Sequence, residues 1–271
     1  MSSDPFAPAR EFDFDFAIVV ADAAEPVYTT GDLEAVYPWA SCTKPLTAMA
    51  ALVAVDEGRV SLDAPAGPEG ATVRHLLAHA AGYAFDSDTM IGQPGRRRGY
   101  SNFGFDVLGR YVADAVGMTF ADWLSRSVLQ PLGMRSVVLR GSPAAGAAGT
   151  VTDLARLGQE LIAPTLISND LHREATNVVF PGLTGVLPGF GRQEHNDWGL
   201  GFEIKDRKVP HWTGSKNSQA TFGHFGQSGS FLWVDPQREA TAAFLGARPF
   251  SSRHRDIWPH LSDAILDNLP W

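Results

Sequence analysis

Ser41-Cys42-Thr43-Lys44-Pro45-Leu46-Thr47-Ala48-Met49-Ala50-Ala51-Leu52-Val53-Ala54-Val55-Asp56 is the stretch from which the rest of the chain can be read. Leu46, Met49, Ala50, Leu52 and Val53 recur near helical spacing, which predicts a helix over 41–56. Glu57-Gly58 ends it, glycine being common just past a helix end. Positions i and i+3 share a helix face, so Ser41 and Lys44 meet in the first turn. A serine hydroxyl is a weak nucleophile until a neighbouring base takes its proton, and a desolvated amine can be that base. The helix N-terminus adds free N–H groups and partial positive charge. The Ser41 N–H is thus a natural first donor to the oxygen of an attacked carbonyl.

Composition sharpens the point. Of 22 basic residues only four are lysines, and Lys44 is the single lysine in the first 204 residues. Arginine stays protonated, whereas a buried lysine can give up its proton and act as a base. By spacing alone, roughly 0.3 Ser-x-x-Lys matches are expected by chance, so other signals must agree.

Working outward, residues 13–21 are aromatic and β-branched and read as a strand, with Pro26 to Thr30 as a hairpin partner closed by Gly31-Asp32. From about 60 to 200 the pattern is mainly helical, with glycine- and proline-rich joints. Thr72 is a plausible cap for Val73 to His79, and Phe103–Ala115 and Thr152–Leu161 read as further helices. Residues 141–149 and 180–197 read as loops. Short strands return at Gly199–Ile204, Gln219–Phe222, Gly229–Val234 and Glu239–Gly246, with a turn at Asp235-Pro236-Gln237-Arg238. A helix over Arg255–Leu269 closes the chain. The expected fold class is α+β: an antiparallel sheet built from both chain ends, flanked by N- and C-terminal helices, with an inserted all-helical region. The corresponding domains are 1–57 with 198–271, and 58–197.

Tyr100-Ser101-Asn102 is the second chemical signal, with about 0.1 chance occurrences expected. The phenol can relay a proton if cations lower its pKa, and the amide can donate to a substrate carbonyl. The alternative is a tyrosine packed beside an asparagine helix cap. The third signal is Gly223-His224-Phe225-Gly226-Gln227-Ser228-Gly229. Its glycines let a strand edge approach a ligand closely. A second oxyanion N–H could come from this edge, near Gln227, and His224 could contact substrate. A glycine-rich hairpin with a structural histidine reads equally well from the residues alone.

Taken in order, Ser41-x-x-Lys44, Tyr100-x-Asn102 and His224-x-Gly226 resemble the penicillin-recognising serine hydrolases, in the branch of class C β-lactamases, D-Ala-D-Ala peptidases and esterases. Thr72-Val73-Arg74-His75-Leu76-Leu77-Ala78-His79 with Gly82, Thr152-Asp153-Leu154-Ala155-Arg156, and Trp198-Gly199-Leu200-Gly201-Phe202 are similar to that family too. The likeness runs from about residue 14 to 268. It implies a β-lactamase/transpeptidase-like fold and a two-step, metal-free acyl-enzyme reaction on a small ester, amide or β-lactam. It implies Ser41 as nucleophile and Lys44 and Tyr100 as proton carriers. Asn102 would hold substrate or lysine, and His224, Gly226 and Gln227 would form the opposite wall. His224 stands where β-lactamases of this family usually have lysine, which points toward esterase or small-amide chemistry.

The bulk numbers agree. A net charge of −8 and a pI near 5.4 argue against nucleic-acid or anionic-membrane partners. No apolar run reaches the roughly 18 residues of a membrane span. Met1-Ser2-Ser3 opens no basic, then apolar, leader. The lone Cys42 has no internal partner, so a reducing cytoplasm is expected. Arg96-Arg97-Arg98 reads as a solvated loop or an anion clamp. His75 and His79 would share a helix face, but no third ligand accompanies them, so no zinc is expected. No phosphate loop or dinucleotide fingerprint appears, so no cofactor is expected. Tryptophans 39, 198, 212 and 233 are candidates for the cleft rim or the core.

Overall fold

A computed structural model describes residues 4–271. Residues 1–3, on which the leader reading partly rests, lie outside the described residues.

A 3-10 turn (Ala7–Glu11) leads into the hairpin β1 (Phe16–Ala21) and β2 (Pro26–Thr30). After β3 (Tyr37–Pro38), a second 3-10 turn (Ala40–Cys42) runs into α1 (Thr43–Asp56). The middle of the chain holds the helices α2 (Val73–Leu77), α3 (Asn102–Val116), α4 (Phe120–Leu124), α5 (Val151–Ile162) and α6 (Asn169–Thr176). It also holds four small strands, β4 (Val138–Leu139), β5 (Ala147–Gly149), β6 (Gly185–Leu187) and β7 (Gly191–Gln193). The chain closes with β8 (Glu203–Ile204), β9 (Phe222–Gly226), β10 (Ser230–Asp235), β11 (Ala240–Gly246) and α7 (Ser252–Asp267).

The main sheet is antiparallel, in the order β2-β1-β11-β10-β9-β8, and so joins both ends of the chain. Its strands alternate between two apolar cores. Val19, Leu232, Val234 and Leu245 face α1 and α5, while Ile18, Val20, Phe231, Trp233 and Phe244 face α7 and the N-terminal 3-10 turn. Because both faces are covered, the strands read as continuous apolar runs rather than as polar–apolar alternation. The first core continues from α1 into α2, α3 and α4, so α1 and the mid-chain helices share one apolar interior.

The mid-chain region is not purely helical. β5 pairs with β3 and β4, and residues 185–193, expected as loop, form the β6–β7 hairpin. α4 and α6 are short helices within the stretch expected to be mainly helical, though neither was singled out. Thr72 caps α2 as expected, in a capping box with His75. α5 begins one residue earlier than expected, at Val151, and is capped by Thr150. No helix among the described residues is long and apolar enough to cross a membrane.

Candidate active site

Ser41 lies in the 3-10 turn ahead of α1, not in the α-helix itself. In 3-10 geometry the side chains at i and i+3 eclipse each other. That places Lys44 over Ser41, with Nζ 3.5 Å from Oγ. Ala40, just before the serine, has φ of 44°, a conformation that L-residues avoid and that marks stored local strain.

Lys44 is fully buried. Its Nζ donates to Asn102 Oδ1 at 2.6 Å and to the Ala144 carbonyl at 3.1 Å. Burial pushes its pKa down to about 7, against the pull of the carboxylates of Asp106 and Asp86. The amide of Asn102 is oriented by its other end, where Nδ2 donates to Asp86 at 2.8 Å. Both ends of Asn102 are therefore engaged within the protein. Of the two roles expected for it, holding substrate or holding lysine, the geometry has it on the lysine.

Tyr100 and Asn102 flank Ser101, which is the N-cap of α3 and accepts from Gly104 N–H. This cap turns Tyr100 and Asn102 toward α1. The Tyr100 hydroxyl donates to Ser41 Oγ at 2.8 Å. Burial raises the phenol's pKa, and its bond to Ser41 only partly offsets that. The relay was read as conditional on cations lowering the pKa of this phenol; here desolvation is the larger effect and keeps it protonated.

The third motif is strand as far as Gly226 and turn from there to Gly229. Gly223 to Gly226 belong to β9 and pair with β10, so the strand expected at Gln219–Phe222 is displaced toward the C-terminus. Glycine is depleted in strands, but here it has a use. A Cβ on Gly226 would lie 2.5 Å from the Trp39 carbonyl oxygen and 3.1 Å from Ser41 N. Only glycine lets β9 press against the turn that carries Ser41. Cys42 Sγ donates to the His224 carbonyl, and Ser230 Oγ donates to Trp39 O, tying the turn to the sheet. His224 Nδ1 lies 2.6 Å from Phe225 O and its ring packs near Tyr100 and Trp198. Burial, and then the charge of Lys44, lower its pKa to about 3. It is neutral.

These residues open on a cleft with about 420 Å³ of empty space. Ser41, Tyr100, His224 and Gln227 line it, together with Phe85, Leu187, Pro188, Trp198, Trp212, Phe225 and Glu203. The sequence reading left the tryptophans undecided. Trp198 and Trp212 line the cleft, whereas Trp39 and Trp233 are core. Phe85, Asp86, Leu187, Pro188 and Glu203 carried no local signal, since they arrive from distant loops and from two short strands, β6 and β8.

Two other readings are corrected. Arg98 is neither solvated nor an anion clamp. It is buried and donates to the carbonyls of Ala78, Val179, Phe180 and Asn196. Nor do His75 and His79 share a helix face. His75 caps α2, and His79 lies beyond the helix end with φ of 52°, its ring against Tyr100.

The site thus has a hydroxyl, a buried amine and a phenol in contact above an apolar cleft. A family model described as Beta-lactamase matches residues 16–265, and the chain belongs to this family of serine hydrolases. It is similar to the crystal structure of a beta-lactamase from Mycobacterium bovis, with 49% identity and a TM-score of 0.96, covering 97% of this chain and 98% of that one. It is also similar to simvastatin synthase from Aspergillus terreus (15% identity, TM-score 0.82, 99% of each chain). A third similar structure is EstCE1, described as a hydrolase with promiscuous acyltransferase activity (17% identity, TM-score 0.77, 96% of each chain). At these lower identities the likeness shows the fold alone. No curated protein matches.

Proposed function

We propose that the chain hydrolyses small, neutral esters or amides through an acyl-enzyme on Ser41. The observation that carries this reading is the set of partners around Lys44 Nζ, which suits its neutral form. A neutral amine has two N–H bonds and one lone pair. Asn102 Oδ1 and the Ala144 carbonyl accept the two N–H bonds, which leaves the lone pair for the Ser41 hydroxyl at 3.5 Å.

In the first step Ser41 Oγ bonds to the substrate carbonyl carbon while its proton passes to Lys44. The carbonyl oxygen gains charge and is held by the N–H groups of Ser41 and Gln227. The carbon–oxygen bond to the leaving alcohol then breaks. Tyr100, kept protonated by burial, hands its proton to the departing alkoxide and is reprotonated from Lys44. Water then attacks the ester of Ser41 by the same route in reverse, releasing the acid and restoring the serine. The acyl group occupies the space between Phe85, Leu187, Trp198, Trp212 and Phe225.

The lining supports a neutral substrate. Among the described residues lining the cleft, none is lysine or arginine, and His224 is uncharged. A substrate carboxylate, such as those of β-lactams and D-alanyl peptides, would be desolvated there without a cation. β-Lactam hydrolysis is the second reading, favoured by the beta-lactamase from Mycobacterium bovis at 49% identity. A panel of p-nitrophenyl esters beside nitrocefin and a D-alanyl-D-alanine peptide decides between them. Short esters are expected to turn over well above nitrocefin, and Ser41→Ala to abolish both. The reverse order would favour the second reading.

A further inference from the structure

Next to the nucleophile's cleft lies a buried ionic cluster that the reaction above does not use. The Glu203 side chain is almost fully enclosed, yet it lines the cleft. Its Oε1 accepts from Lys208 Nζ. Its Oε2 accepts from Trp212 Nε1 at 3.0 Å and is 2.8 Å from His211 Nε2. Thr213 N–H donates to His211 Nδ1 at 3.1 Å, which leaves the ring proton on Nε2, directed at Glu203. Lys208 is anchored in turn by the carbonyls of Asp197 and Ile204.

From this geometry we infer that Glu203 is a positioning residue that fixes the Trp212 indole as the end wall of the acyl cleft, and so limits the length of the acyl chain. The inference rests on the reading of Ser41 as nucleophile and of this cleft as the acyl site.

Three observations lead there. First, Trp212 is held from several sides. Its N–H is bound to Glu203, and its ring packs near Phe225 and Phe231, with centroids 6.0 and 6.1 Å away. A ring so fixed cannot swing away to admit a longer chain. Second, Glu203 is poorly suited to be the base that activates water. Three donors already engage its oxygens, and although burial acts to raise its pKa, His211 and Lys208 hold the carboxyl well below the usual range. Third, a buried ion pair is a weak way to stabilise a fold compared with apolar packing. Placed beside the cleft, this one gives the wall a defined orientation. Glu203 sits opposite Gly223 in the β8–β9 register, one residue from His224, so the wall and the oxyanion edge are set by the same pair of strands.

The test compares parent, Glu203→Gln, Trp212→Phe and Trp212→Ala on p-nitrophenyl acetate, butyrate and octanoate. Fluorophosphonate labelling counts competent sites in each. The readout is the octanoate-to-acetate ratio of kcat/KM per labelled site. Trp212→Ala is expected to raise it by at least about tenfold, the scale on which methylene-sized changes in an apolar pocket discriminate. Glu203→Gln and Trp212→Phe, which loosen the wall without removing it, are expected to raise the ratio less, through a lower KM for octanoate. A purely structural role would lower all three esters together and leave the ratio unchanged, and that result overturns the inference. Should Glu203→Gln fail to fold, Trp212→Phe removes the same hydrogen bond and is read the same way. Persistence of acetate turnover in Ser41→Ala would instead remove the nucleophile reading on which the wall depends.

Discussion

Lys44 makes its shortest hydrogen bond, 2.6 Å, to Asn102 rather than to Ser41. This pairing keeps the amine in place while leaving it unsolvated. Burial lowers its pKa to about 7, from an ordinary value of 10.5. The neutral, basic form is therefore the majority only above about pH 7, and kcat/KM should rise with pH through that point. His224, at about 3, contributes no inflection there. Asp106 favours the protonated lysine, so Asp106→Asn should move the inflection to lower pH. A pH–rate profile for a short ester checks both, and a shift to higher pH in Asp106→Asn would count against the assignment.

Tyr100→Phe removes the hydroxyl that meets Ser41 Oγ at 2.8 Å but keeps the ring packed against His79, Trp198 and His224. The expected result is an unchanged melting temperature with kcat lower by about 10²–10⁴-fold, the usual range for a lost proton-transfer partner. Steady-state kinetics beside a thermal melt measure the two together.

Gly226→Ala tests the close approach of sheet and nucleophile. The new Cβ would sit 2.4 Å from Ser230 Oγ and 2.5 Å from the backbone oxygen of Trp39, so strand or turn must shift. Displacing reacting groups by about 1 Å costs on the order of 10²-fold. A loss of that size in kcat, with fluorophosphonate labelling slowed in proportion, is expected.

Arg98→Met leaves four carbonyls, three of them buried, without their donor. Unsatisfied buried groups cost about 1–3 kcal/mol each and do not add fully, so a loss of about 3 kcal/mol or more in denaturant unfolding is expected. Arg98→Lys should rescue little, because one ammonium cannot replace a planar fork that reaches four acceptors.

The parts of this molecule that were legible in the sequence are those with local causes. The apolar runs of β1, β10 and β11 and the amphipathic α3 follow from spacing and cover. Ser41 and Lys44 meet because they stand three positions apart in one turn, whereas the cap of α3, read at the asparagine, is supplied by Ser101. What was not legible depends on distant segments. The stretch 223–229 read as a strand edge or a glycine-rich hairpin, and only the turn packed on β9 explains why glycine stands at 226. Arg98 read as surface because three arginines in a row usually are, yet the last of them finds its acceptors some 20 to 100 residues away. Of the cleft wall, Trp198 and Trp212 were candidates for the rim, but Phe85, Leu187 and Glu203 share no periodicity and no motif with them.

Trapping the covalent intermediate tests the account at its centre. The enzyme is quenched with acid during turnover of a short p-nitrophenyl ester, digested, and mapped by mass spectrometry. One acyl group is expected on the peptide carrying Ser41, absent in Ser41→Ala and slow to form in Lys44→Met. Acylation at another residue, or full turnover with Ser41 left unmodified in both quench and fluorophosphonate labelling, would contradict it.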